Sequence, residues 1–225
     1  GSGTKGGPDI REPSQQRSRH QRYERIYDHS REDEVYDRRL TGDISYAGPI
    51  VSHFGHMIAE FSHRIIPSRK FFRSDQFLFL TTFDKQKIDT FEKIPEPVKS
   101  VLNFLKIQER DVILTDQNCI VENLLMAEQG SVIGMPTCRE YLDIMEDFST
   151  RRLHEQRHDC LPSEKVYVAG KSEGGGRILG ESYLQEVLKD DGYWIFHPEK
   201  FDFSFQVFVY SNAKSLIFSE GSAIH

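Results

Sequence analysis

The chain has 225 residues, a formal net charge of −6 at pH 7, 37% hydrophobic residues and 28% charged residues. This composition is typical of a globular protein, and the negative balance gives no reason to expect nucleic acid as a partner. No apolar run approaches the roughly 20 residues of a membrane-spanning helix, and three widely spaced cysteines, Cys119, Cys138 and Cys160, argue against a disulfide scaffold and fit a reducing compartment.

Residues 1–40 are predicted to precede the folded core. Residues 1–8 have the composition of a linker or tag scar. Residues 9–40 are polar, with a series of arginines followed by Glu32-Asp33-Glu34. Mixed charge of this kind usually forms a surface-wrapping arm, so we expect the core to begin near Thr41.

Residues 46–64 combine a turn signal with a run of ionisable side chains. Gly48-Pro49 predicts a turn, and Ser52 fits the N-cap position of a helix that follows it. In such a helix, residues that recur every four positions share one face. That face and its borders carry the following residues: His53, His56, Glu60, His63 and Arg64.

Three interpretations of this segment stay open. The histidines can be satisfied core or rim residues, and Glu60 with Arg64 a helix ion pair. The group can also be functional, because burying imidazole, carboxylate and guanidinium together is costly unless they are paired or used. A zinc site is the third, although the spacing of Glu60 differs from the His-Glu-x-x-His pattern of zinc hydrolases.

Short apolar runs alternate with segments of helical spacing along the rest of the chain. Strands are predicted at 77–82, 111–114, 119–125, 165–169, 193–196 and 215–218, and helices at 98–106, 136–152, 181–190 and 204–213. This alternation predicts an α/β fold with parallel sheets. A polar stretch at 154–162 predicts a boundary between two α/β domains, 41–153 and 154–225. Because the last strand ends in a small-residue turn that normally opens a helix, we expect a further C-terminal segment.

Two features of the second predicted domain favour an anionic ligand. The loop 171–177 carries Lys171 and Arg177 around three glycines, so its backbone amides can approach a phosphate. The turn at Gly221-Ser222 would present N–H groups at the carboxyl end of a parallel strand, where α/β sheets bind ligands. The glycines can equally be a flexible surface loop, and neither a Walker sequence nor Asp-x-Asp occurs in the chain.

Several motifs, in this order and spacing, resemble glycosyltransferase family 61 over roughly residues 41–225. They are Tyr46-Ala-Gly-Pro-Ile, His53-Phe-Gly-His with Glu60 and Arg64, Val166-Tyr-Val-Ala, Arg177-Ile-Leu-x-Glu181, Phe205-Gln206, and Ser219-Glu-Gly-Ser-Ala-Ile-His225. The family includes plant xylosyltransferases, O-linked N-acetylglucosamine transferases of the animal secretory pathway, and bacterial members tied to capsule or lipopolysaccharide assembly. Two departures are Gly170-Lys171, where many members place an arginine, and Gly180, where many place asparagine.

The resemblance implies a GT-B architecture, in which two Rossmann-like domains face a cleft, the second being incomplete in this chain. It also implies metal-independent, inverting transfer from a nucleotide sugar to a glycan or glycolipid acceptor, with no cofactor. We expect this to serve surface polysaccharide biosynthesis in a bacterial cytoplasm. Peripheral association with the inner face of the membrane stays open.

Site residues follow from the resemblance together with the chemistry of transfer. Glu60 and His56 are expected to form the catalytic pair, with Glu60 favoured as the base, and His53 and Arg64 to bind the acceptor. The donor diphosphate is assigned to Lys171, Arg177, Gly221 and Ser222, and the nucleoside to Gln206 and Glu220. Alternatives are a non-catalytic subunit that binds a sugar nucleotide or glycan, and a metal-dependent hydrolase built on the histidines.

Overall fold

A computed structural model describes residues 36, 38–81, 87–131, 136–156, 163–170, 179–219 and 221–224. The elements of the first half are β1 (Arg38–Pro49), α1 (Phe54–His56), a π-helix (Met57–Phe61), α2 (Ile65–Phe72), β2 (Phe77–Leu80), α3 (Glu96–Phe104), β3 (Val112–Thr115), β4 (Cys119–Leu125) and α4 (Arg139–Glu155). Those of the second half are β5 (Lys165–Val168), α5 (Glu181–Asp190), β6 (Trp194–Phe196), α6 (Phe203–Asn212), β7 (Ser215–Phe218) and a 3₁₀ turn (Ser222–Ile224).

Two parallel sheets confirm the predicted α/β class. The first has the strand order β3-β2-β1-β4 and the second the order β6-β5-β7. All paired strands run parallel. The strands predicted at 119–125 and 215–218 and the helix predicted at 181–190 have the predicted bounds, and the other predicted elements differ from the structure by a few residues at their ends.

The strand β1 was not predicted, and the turn expected at Gly48-Pro49 is wrong. Pro49 still pairs with Leu80 of β2, while Gly48 has a φ of 108° and marks one of two register shifts in the strand. The other shift lies between Leu40 and Asp43, in the half of β1 that pairs with β4. β1 is therefore the strand that joins β2 and β4, and it begins at Arg38, three residues before Thr41.

Each sheet has its own apolar core. The first core lies around α1, the π-helix, α2 and α3, with Met57, Ile65 and Phe77 fully buried. The second is smaller and packs α6 against β5 and β6 through Val166, Val168 and Phe196. α4 continues past residue 153 to Glu155. The division into domains 41–153 and 154–225 stays a prediction, as do the roles given to residues 1–35 and 157–162, which lie outside the described residues.

Aromatic packing and hydrogen bonds connect the two halves. The ring of Phe203, at the start of α6, makes edge-to-face contacts with Phe104 at 5.3 Å and Phe54 at 5.8 Å between centroids. The Phe203 backbone N–H donates to the Ser100 hydroxyl at 2.7 Å. These contacts seat α6 against α3 and the beginning of α1, next to the segment that carries the histidines.

Candidate functional site

The histidine segment is not the continuous α-helix that its spacing predicts. α1 gives way at Met57 to a π-helix, in which the Ser62 N–H donates to the Met57 carbonyl at 3.0 Å. His53 occupies the N-cap position, so the prediction of Ser52 as N-cap is wrong. π-Helical turns are rare and frequently lie at functional sites.

The π-helix changes which side chains lie next to each other. The rings of His53 and His56 are 4.7 Å apart between centroids, and the His56 ring stacks on Phe61 at 6.2 Å. Phe61 is five residues from His56, so the wider turn brings i and i+5 together where the prediction expected i and i+4. Glu60 follows on the next turn and is half-buried. The predicted catalytic pair thus lies within one irregular segment at the end of β1.

Arg64 follows that segment, directly before α2, and contacts β1. Its guanidinium carbon lies 5.4 Å from the centroid of the Tyr46 ring, a distance suited to a cation–π contact. A Cβ placed on Gly48 would lie 3.1 Å from Arg64 Nη1, so glycine at this position leaves room for the guanidinium. The motif residues Tyr46, Gly48 and Arg64 therefore form one packed unit.

His63 is a buried, neutral histidine. Its Nε2 lies 2.9 Å from the Ile58 carbonyl, to which it donates, and its ring packs on Tyr141 at 4.5 Å between centroids. Burial lowers the pKa of His63 below its ordinary value of 6.5, against the raising effect of the Ile58 bond. His63 therefore fits the interpretation of a buried core residue, with Nε2 bonded to Ile58 and Nδ1 buried without a hydrogen-bond partner among the described residues.

The burial of His63 predicts a pH dependence of stability. Because the folded state holds the pKa of His63 below 6.5, the unfolded chain binds this proton first as the pH falls. The free energy of unfolding should therefore decline below about pH 6.5, by up to about 1.4 kcal/mol per pH unit from this group.

Urea unfolding between about pH 8 and pH 5 measures the slope of this free energy against pH. His63→Gln should reduce it, whereas His154→Gln, on the exposed end of α4, should leave it unchanged. Equal slopes in both variants would contradict the assignment.

The turn after β7 contacts the histidine segment directly. A Cβ placed on Gly55 would lie 2.6 Å from Ser222 Oγ, 2.9 Å from Ser222 Cβ and 3.3 Å from His53 Cε1. Gly221 precedes Ser222 with a φ of 148°, a conformation that favours glycine. Since β1 ends at Pro49 and β7 at Phe218, the segments that follow the carboxyl ends of one strand from each sheet meet at Gly55. The sequence motif contains Gly55, but its spacing gave no signal of this contact.

Of the other residues predicted to bind the donor, the structure describes Gln206 but not Lys171, Arg177 or Glu220. Gln206 is buried in α6, and its Nε2 donates to the carbonyls of Pro198 at 2.9 Å and Phe201 at 3.0 Å. It thereby holds the turn that precedes α6, and it borders a cavity of about 900 Å³ that Phe54 and Ala223 also line. Its nucleoside contact stays a prediction. The predictions for Lys171, Arg177 and Glu220 lie outside the described residues.

The described residues contain no group of three or more His, Cys, Asp or Glu side chains placed to hold a metal ion. They also contain no helix that combines the length and the apolar character needed to cross a membrane.

The fold has two parallel sheets, and the segments that follow one strand of each sheet meet at one site. This arrangement defines a class of α/β proteins in which the ligand lies beyond the carboxyl ends of the strands. Comparison with family models identifies the member of that class: the model described as glycosyltransferase 61 matches residues 54–225. The chain belongs to the glycosyltransferase 61 family and is a glycosyltransferase, which uses a nucleotide-sugar donor and a glycan acceptor. Comparisons with curated proteins and with solved structures found no match.

Proposed function

We propose that this chain transfers a sugar with inversion between substrates bound on either side of the contact between Gly55 and Ser222. That contact is the observation that carries the proposal. It supports the proposal because the segment after β1, which we assign to the acceptor, contacts the turn after β7, which we assign to the diphosphate. Such a meeting of two sheets supports the GT-B arrangement that the family resemblance implies.

Inverting transfer is a single displacement at the anomeric carbon. Glu60, oriented by His56, takes the proton from the acceptor hydroxyl. The hydroxyl oxygen forms a bond to the anomeric carbon while the bond from that carbon to the donor phosphate breaks. The nucleoside diphosphate leaves with the electron pair. His53 and Arg64 hold the acceptor, and the ring contact between His53 and His56 supports their acting together.

Hydrogen-bond donors stabilise the leaving diphosphate. The N–H groups of Gly221 and Ser222 lie at the turn after β7, and Lys171 and Arg177 contribute positive charge. Gln206 and Glu220 contact the nucleoside. Because this set neutralises the diphosphate with side chains and amides, the transfer requires no metal or other cofactor. The acceptor is a glycan or glycolipid of a bacterial surface polysaccharide, such as capsule or lipopolysaccharide, assembled in the cytoplasm at the inner face of the membrane.

The diphosphate assignment predicts a measurable loss of binding. Arg177→Ala should weaken nucleoside diphosphate binding about tenfold or more, because a hydrogen bond from a charged group contributes about 1.5–3 kcal/mol. Isothermal titration calorimetry with uridine, guanosine, cytidine, adenosine and thymidine diphosphates, in EDTA, measures it. Arg151→Ala is the control, since Arg151 is exposed on α4 and paired with Asp147. Equal dissociation constants for wild type and Arg177→Ala would remove the loop from the donor site.

Turnover of the nucleotide-sugar donor distinguishes a catalytic transferase from a non-catalytic binding subunit. Wild-type protein is incubated with nucleotide sugars in EDTA, and release of nucleoside diphosphate is followed. Release in the presence of the chelator supports metal-independent transfer or its hydrolytic side reaction. Release that requires an added divalent ion contradicts metal independence, and binding without any release supports the non-catalytic subunit.

A further inference from the structure

The side chain of Glu181 connects the segments that follow two neighbouring strands. Glu181 is the first residue of α5, and its Oε1 accepts a hydrogen bond from the Gly170 N–H at 2.8 Å and one from the Tyr167 hydroxyl at 3.1 Å. Tyr167 belongs to β5 and is 1% exposed, and Gly170 lies just beyond the end of that strand. One carboxylate oxygen therefore fixes where the chain leaves β5.

The same carboxylate lies beside the end of β7. A Cβ placed on Gly170 would lie 2.9 Å from Ser219 Oγ and 3.3 Å from Glu181 Oε2, so the three residues are tightly packed. Burial acts to raise the pKa of Glu181, but the hydrogen bonds from the Gly170 N–H and the Tyr167 hydroxyl contribute to an overall lowering of that pKa. The carboxylate is thus held in its charged form, as an acceptor for these groups.

Ser219 opens the turn that reaches the candidate active site. Its backbone N–H donates to the Val168 carbonyl of β5 at 2.9 Å, which ties the end of β7 to β5. Three residues further on, Ser222 packs on Gly55. The position of Ser222 against the histidine segment therefore depends on how Ser219 and Gly170 are held. Gly170 donates a hydrogen bond to Glu181, and the Ser219 hydroxyl packs on Gly170 beside the same carboxylate.

We propose that Glu181 is a positioning residue for the nucleotide-sugar donor. Its carboxylate joins the segments after β5 and β7, so that the amides of Gly221 and Ser222 face the diphosphate in one fixed arrangement. Glu181 acts through those residues and needs no contact with the donor itself. The inference rests on the proposed function, which places the diphosphate at these segments.

The test compares Glu181→Ala and Glu181→Gln with a matched pair on the same helix, Glu186→Ala and Glu186→Gln, since Glu186 is exposed. Glu181→Ala removes the acceptor for two hydrogen bonds and should raise KM for the donor about tenfold, with kcat within about threefold of wild type. Glu181→Gln keeps a side-chain oxygen that can accept both bonds, so it should restore most of the loss. Both Glu186 variants should match wild type.

The split between KM and kcat separates positioning from general stability. A purely structural role lowers the melting temperature and the fraction of active protein but leaves the KM of the folded fraction unchanged. An unchanged donor KM in folded Glu181→Ala therefore overturns the proposal, and so does an equal rise in Glu186→Ala.

Amide hydrogen exchange gives a second measurement that does not need the donor. Exchange in a peptide covering Ser219–Ile224 should be faster in Glu181→Ala than in wild type and unchanged in Glu186→Ala. If wild type turns over no nucleotide sugar, the proposed function fails and exchange alone decides on positioning. Faster exchange then supports the role of Glu181 in holding the turn, and unchanged exchange overturns it.

Discussion

Replacing Gly55 with alanine is expected to lower kcat/KM for transfer about a hundredfold, because misplacing a site by about 1 Å can cost this much. The new Cβ would lie 2.6 Å from Ser222 Oγ and 2.9 Å from Ser222 Cβ. Contacts this short force Ser222 away from the histidine segment. The measurement is steady-state transfer by Gly55→Ala together with its thermal unfolding, so that activity is compared between folded proteins.

A compensating substitution makes this prediction specific to the contact. In Gly55→Ala/Ser222→Gly the two atoms nearest to the new methyl group are gone and only the looser contact with His53 Cε1 at 3.3 Å remains, so the double variant should be more active than Gly55→Ala. Ser222→Gly alone measures the cost of losing the hydroxyl. Gly192→Ala, at an open position with a φ of 82°, should lose stability but keep its kcat/KM. Failure of Ser222→Gly to rescue Gly55→Ala would show that Gly55 is needed for another reason.

Glu60→Gln and His56→Asn are expected to lower turnover about 10²–10⁴-fold, the usual contribution of general base catalysis. Both substitutions keep approximate size while removing basicity, so a catalytic role predicts little change in melting temperature. A structural role predicts the reverse pattern, since breaking a buried charged pair costs about 3–5 kcal/mol. Turnover and thermal unfolding of each variant are therefore measured together.

Glu96→Gln is the matched control for this pair of variants, because Glu96 is a glutamate on α3 whose side chain is 84% exposed. It should match wild type in turnover and in melting temperature. Near-normal turnover in folded Glu60→Gln and His56→Asn would remove the histidine segment from the active site. The catalytic base would then have to be a residue outside this segment.

The sequence by itself determined the α/β class, most of the elements and the family. A strand or an amphipathic helix is encoded by the spacing of apolar residues within a short window. This is why α5, with Leu184 and Leu188 at helical spacing, and the apolar strand β7 were predicted with the observed bounds. The family motifs are likewise a property of order and spacing along the chain, and the match over residues 54–225 confirmed the family that they indicated.

The local pattern of residues did not predict the strand β1 or the π-helix. β1 contains Gly42, Gly48 and Pro49, which in isolation favour turns. It is a strand because β2 and β4 pair with it on either side, and its irregularities fall at Gly42 and Gly48. The π-helical turn also has no clear signature in the sequence, because its wider register is stabilised by the burial of Met57 and Phe61 in the core.

The tertiary structure alone decided which motifs share a site. Gly55 and Ser222 lie in opposite halves of the sequence, and their contact depends on how α6 seats against α3 and α1 through Phe203. The hydrogen bonds of Glu181 depend on where the start of α5 lies relative to the end of β5. Such contacts are set by the packing of whole sheets and helices, and residue spacing carries no information about them. The sequence therefore names the candidate groups, while the packing of the two sheets brings them together.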